Sequence, residues 1–98
     1  MLKKSYTKTG RSCRVTFKVT PEIETQEAAL LGEFNEWQPE VHPMKKRKDG
    51  SFSVTISLDA GQDYRFRYLL DQNTWINDEA PDQTVLNRFG GQDCVVAV

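Results

Sequence analysis

The chain has 98 residues, with 13 Lys and Arg against 14 Asp and Glu and a formal net charge of −1. That length points to one domain, residues 1–98, and the charge balance supplies no field to recruit nucleic acid or an anionic membrane. No run approaches the ~18 consecutive apolar residues of a membrane span, and no apolar stretch follows the lysines of "MLKKSYTKTGRSC". A cytoplasmic protein with reduced thiols at Cys13 and Cys94 is therefore expected.

Residues 1–11 are expected to form a loosely ordered segment. In "CRVTFKV", Cys13, Val15, Phe17 and Val19 alternate with Arg14, Thr16 and Lys18. A period of two marks a half-buried strand with one face inward. "TPEIETQEAAL" is ambiguous, since Pro21 can open a short turn of helix, while "QEAALLGE" and "HPMKK" read as short strands. Asp49-Gly50 in "KDGS" suits a tight hairpin because glycine accepts positive φ. "SFSVTISL" then alternates Phe52, Val54, Ile56 and Leu58 with Ser53, Thr55 and Ser57.

After a turn at Gly61, "DYRFRYLLD" puts Tyr64, Phe66, Tyr68 and Leu70 on one face and Arg65, Arg67 and Leu69 on the other. "NDEAPDQ" reads as an irregular loop, "TVLN" as a short strand, "FGGQD" as a bend and "CVVAV" as a closing strand. Short strands with turn signals every ~8–12 residues predict an all-β, immunoglobulin-like antiparallel β-sandwich. The Cys…Trp…Cys spacing of antibody domains is absent.

Catalytic and metal chemistry find little support. "KKRK", Lys45 to Lys48, has no interleaved aromatics and precedes a hairpin, where charges commonly guard a strand edge. Asp71, Asp78, Glu79 and Asp82 lack the spacing of a calcium loop, and a shallow sandwich surface rarely builds the cleft that glycoside hydrolysis needs. His42 has no second histidine or cysteine nearby, and "FGG" opens no phosphate-binding helix. No enzyme activity, metal or cofactor is expected.

One stretch resists this reading. "GEFNEWQPE" places Trp37 in a turn just before a proline-containing loop, where a large apolar ring needs a reason to be. "GEFNEW", "KDGSFSVTISLDAGQDYRFRYLLD" and the following tryptophan together resemble the family 48 carbohydrate-binding modules. These are also called isoamylase N-terminal or early-set domains, and they include the glycogen-binding domain of the AMP-activated protein kinase β subunit. The resemblance runs from about Val15 to the C-terminus. It implies an early-set sandwich that binds α-1,4-linked glucans such as glycogen or maltooligosaccharides.

Four positions carry the implied sugar site. Trp37 matches the family's first tryptophan, and Trp75 matches the second after a loop one residue longer, "DQNTW". Arg67 stands where the kinase branch has a lysine, and Asp93 replaces the final asparagine. An exposed indole offers a flat platform to the C–H face of a pyranose, and a guanidinium offers planar donors to its hydroxyls. Asp93 can accept from hydroxyls, or it can pair with Arg67. Trp37 remains open to two readings, a sugar platform or a lid on the core.

The expected function is a free-standing, non-catalytic α-glucan-binding module. The alternative is a protein-interaction module of the same fold that docks on a separate glucan-metabolic enzyme. The strand edge near "MKKRK" is one route to such docking.

Overall fold

The alternating segments pair into two antiparallel sheets that pack as an immunoglobulin-like sandwich of the early-set type. The computed structural model describes residues 2–98. Its strands are β1 (Leu2–Tyr6), β2 (Ser12–Val19), β3 (Ala28–Gly32), β4 (Lys45–Lys46), β5 (Phe52–Asp59), β6 (Asp63–Leu70), β7 (Thr74–Ile76), β8 (Gln83–Leu86) and β9 (Gln92–Ala97). One sheet runs β1-β2-β5-β4 and the other β3-β6-β9-β8. Strand β7 pairs with β6 along Tyr68 to Leu70, beyond the end of the β6–β9 ladder.

Side-chain parity built the core. Cys13, Val15, Phe17 and Val19 of β2 are buried, as are Phe66, Tyr68 and Leu70 of β6 and Cys94 and Val96 of β9. Phe17 and Phe66 meet edge to face across the two sheets, with ring centroids 5.0 Å apart. Full burial of side chains this size contributes about 1.5–3 kcal/mol each, so this layer dominates the stability. Arg65 and Arg67 leave β6 on the opposite, outward face, which fixes where a site can form.

One local expectation changes, and one ambiguous stretch resolves. Leu2–Tyr6 forms β1, paired with β2 from Leu2↔Phe17 to Tyr6↔Cys13, where a loosely ordered segment was expected. The open backbone edge of β2 captures this polar run, and Leu2 packs against the core. Around Pro21 there is no helix: Ile23 N–H closes a turn onto Thr20 C=O instead. The Asp71 carboxylate accepts the N–H groups of Gln26 and Glu27 at 2.9 Å each, which draws this segment out toward β3. Between β6 and β7, Asp71 and Gln72 both take positive φ, 50° and 65°, in a tight hairpin turn of the mirror type.

Cys13 and Cys94 are free, buried thiols on opposite sheets. Burial pushes the Cys94 thiol above its ordinary pKa, so it is a poor nucleophile. Beside it, the Tyr68 hydroxyl donates to Asp78 Oδ2 in the interior. Burial first, and then the Asp78 charge, pushes the Tyr68 phenol far above its usual range. Tyr68→Phe takes one donor from a buried carboxylate and is expected to cost about 1.5–3 kcal/mol in urea unfolding. A loss below about 0.5 kcal/mol would show that this bond does not hold the loop after β7.

Candidate functional site

The loop after β3 explains why a tryptophan stands in a turn. Gly32 has extended backbone, φ −173°, so its conformation does not demand glycine. Space does: a Cβ there would lie 2.5 Å from the Arg65 carbonyl oxygen and 2.7 Å from the Phe34 ring. The Phe34 ring then packs toward Phe17, Tyr64 and His42, anchoring the loop to the core.

Asn35 closes the loop from within. Buried, it accepts from Gly32 N–H at 3.0 Å and donates through Nδ2 to Leu30 C=O at 2.8 Å and His42 Nδ1 at 2.9 Å. With its amide orientation fixed by backbone partners, His42 Nδ1 must be the acceptor, which leaves the ring proton on Nε2. Glu36 and Trp37 follow in left-handed conformation, φ 55° and 59°, and Trp37 N–H donates back to Gly32 C=O at 3.0 Å. Consecutive left-handed residues with side chains cost about 1–2 kcal/mol each, and here they turn the half-buried indole into a surface cleft.

Trp75 arrives from the other side. The mirror-type turn between β6 and β7 brings it opposite Leu69, and the indole remains 44% exposed. Arg67 lies beneath it, with its guanidinium 5.6 Å from the ring centroid. Arg67 Nε donates to Asn77 Oδ1 at 2.8 Å, and Asn77 Nδ2 donates onward to Gln92 C=O at 3.1 Å. The arginine is thus held in place by a neutral amide and an aromatic face.

Asp93 has other partners than Arg67. It stands one step beyond the last β6–β9 pair, Phe66↔Cys94, and directly across from Arg67 if the ladder continued. Arg67 turns away toward Trp75, so Asp93 Oδ2 lies 3.9 Å from Arg65 Nη1 instead. Its Oδ1 accepts from Asn87 Nδ2 at 3.2 Å, and the residue is only 8% exposed. Asn87 in turn accepts the N–H groups of Phe89 and Gly91, so it shapes the β8–β9 loop. Phe89 stands at the tip of that loop, 83% exposed.

These elements enclose a cleft of about 650 Å³ on the outer face of the β6-containing sheet. Trp37, Arg67, Trp75 and Asp93, the four positions taken from the sequence, all line it. Arg65, Phe89 and Asn87 join them there without having been anticipated as site residues. Phe89 gave the same signal as Trp37, an aromatic in a turn, whereas Asn77 and Asn87 act through partners that meet only in the folded chain. A second depression of about 820 Å³ lies near β3 and β4, but Phe52, its aromatic, is buried. Among the described residues no cluster of three or more His, Cys, Asp or Glu is placed to hold a metal ion.

Flat rings at two sides of a donor-rich floor suit a flat, hydroxylated ligand, and the sequence comparison points the same way. Residues 15–98 match the profile of the glycogen recognition site of AMP-activated protein kinase. The chain belongs to that family. No curated protein sequence matches it. The glycogen-recognition family is one of non-catalytic carbohydrate-binding modules, and membership supports a glycogen-binding module here.

In this glycogen-recognition module the Trp37 loop carries its own pH dependence. Burial lowers the His42 pKa from its ordinary value of 6.5, so the native state favours the neutral ring that accepts from Asn35. Because the folded pKa is depressed, the stabilisation is complete above the ordinary value and is lost as pH falls through the folded one. Thermal melts between pH 7.5 and pH 5 are expected to show a falling Tm, with the Trp37 indole N–H shifting over the same range. His42→Gln, which keeps an acceptor near Asn35, is expected to flatten that dependence; an unchanged slope would remove His42 as its source.

Proposed function

We propose that the chain is a non-catalytic module that binds α-1,4-linked glucan, glycogen or a starch-type chain, in the cleft between Trp37 and Trp75. The observation that carries this reading is the placement of two indoles on either side of Arg67 on one outward sheet face. Trp37 and Trp75 stack on glucose rings, and Phe89 covers the apolar edge of a further ring. Arg67 donates to hydroxyls with its remaining N–H groups. Asp93 is nearly enclosed, so its part is to hold the Asn87 loop and Arg65 in position rather than to meet the sugar.

Affinity for one short chain is expected to be modest, Kd on the order of 10⁻³ to 10⁻⁵ M, because a shallow cleft desolvates few groups. Co-sedimentation with glycogen, with cellulose as the β-linked control, tests the reading. Retention on glycogen alone is the expected result. Equal retention on both polymers, or on neither, would overturn α-glucan selectivity.

A further inference from the structure

The charge chemistry of the cleft exceeds what a neutral sugar calls for. Arg65, Arg67 and Arg88 all line it, so three of the chain's six arginines, and none of its seven lysines, gather in one cleft. The protein as a whole carries a net charge of −1, so this is no reflection of general basicity.

Two carboxylates share the cleft, and both are engaged. Glu33 Oε1 accepts the Arg65 backbone N–H at 2.6 Å, and Asp93 Oδ1 accepts from Asn87. Of these three arginines, only Arg65 has a carboxylate within ion-pair distance among the described residues, at a long 3.9 Å. Arg67 rests on Trp75 and on the neutral Asn77, while the Arg88 guanidinium lies over the Phe89 ring, 5.2 Å from its centroid. Two guanidinium charges therefore face this cleft with only aromatic and amide partners.

A glucose hydroxyl both donates and accepts, so a site for neutral glucan has no need of an excess of pure donors. A phosphate monoester does: it presents several acceptor oxygens and about −1.5 to −2 charge at neutral pH. Its oxygens match the planar fork of arginine, which explains arginine in place of lysine. Building on the α-glucan reading above, we propose that the preferred ligand is an α-glucan bearing phosphate monoesters. Glucose rings lie on Trp37 and Trp75, and a phosphate on one of them is bound by Arg67 and Arg88 with Arg65 behind.

Calorimetric titration compares maltoheptaose, maltoheptaose carrying a 6-phosphate ester, glucose 6-phosphate and inorganic phosphate at low salt. The phosphorylated heptasaccharide is expected to bind about tenfold more tightly than the neutral one, with the ratio shrinking as salt rises. Arg88→Gln should lower that ratio. Equal affinity for the two heptasaccharides would overturn the phosphate preference and leave the α-glucan reading standing. Inorganic phosphate binding as tightly as the phosphorylated chain would also overturn it, by revealing an anion site independent of sugar. Binding of neither heptasaccharide would defeat the α-glucan reading itself.

Discussion

Trp37→Gly is expected to abolish retention on glycogen while the fold stands. Most tryptophan truncations confound loss of contact with loss of structure, but this position separates them. The backbone at Trp37 has φ 59°, a conformation glycine adopts without steric cost. Relief of that strain, about 1 kcal/mol, offsets part of the packing lost with a half-buried indole, so Tm should move by no more than about 4 °C. The affinity for maltoheptaose should fall at least about tenfold, or about 1.4 kcal/mol, because the stacking platform is gone. Trp75→Ala, at an exposed position on β7, should cost a similar factor with equally little change in Tm. Electrophoresis through glycogen-containing gels, run beside thermal melts, reads both quantities. Wild-type retention by either variant would remove that ring from the sugar site.

Gly32→Ala should do the opposite, substituting no residue that lines the cleft while damaging the scaffold that seats them. The added methyl has no free direction, with the Arg65 carbonyl oxygen at 2.5 Å and the Phe34 ring at 2.7 Å. A backbone oxygen in a paired strand cannot move aside as a flexible side chain would, so β3 must separate from β6 or Phe34 must leave its place. The expected loss is about 2–4 kcal/mol in urea unfolding, with a displaced Trp37 indole signal in what remains folded. Stability within about 0.5 kcal/mol of the parent chain would mean that the close approach at Gly32 is not what seats the loop.

Much of this architecture could be read from alternation alone. The parity of "YRFRYLL" sent Phe66 and Tyr68 inward and the arginines outward, and the structure has them so. Parity has no grip where an element exists only because a neighbour holds it. Leu2–Tyr6 is a strand because β2 offers an open edge, and Thr74–Ile76 because the short turn from Asp71 to Asn73 returns the chain onto β6. Nothing in runs of five and three residues announces either partner. The Asp71 carboxylate, which reaches back more than forty positions to the N–H groups of Gln26 and Glu27, is equally invisible along the chain.

The site divides along the same line. Trp37, Arg67, Trp75 and Asp93 could be named from a motif resemblance, and all four line one cleft. What each does there depends on contacts that a motif does not encode. Arg67 turns to Trp75 and Asn77, which leaves Asp93 to Arg65 and Asn87. Asn35 decides the course of the Trp37 loop, through bonds to Leu30 and His42 that form only once β3 is in place. The half-buried ring in "GEFNEWQPE" thereby comes to line the cleft, at a cost in backbone strain.

The most direct test of the central claim is NMR titration of the isotopically labelled chain with maltoheptaose, with cellohexaose as the control, following the two indole N–H signals. Saturable shifts of both the Trp37 and Trp75 signals with the α-linked sugar, and none with the β-linked one, are the expected result. Unshifted indoles at millimolar maltoheptaose would contradict the claim.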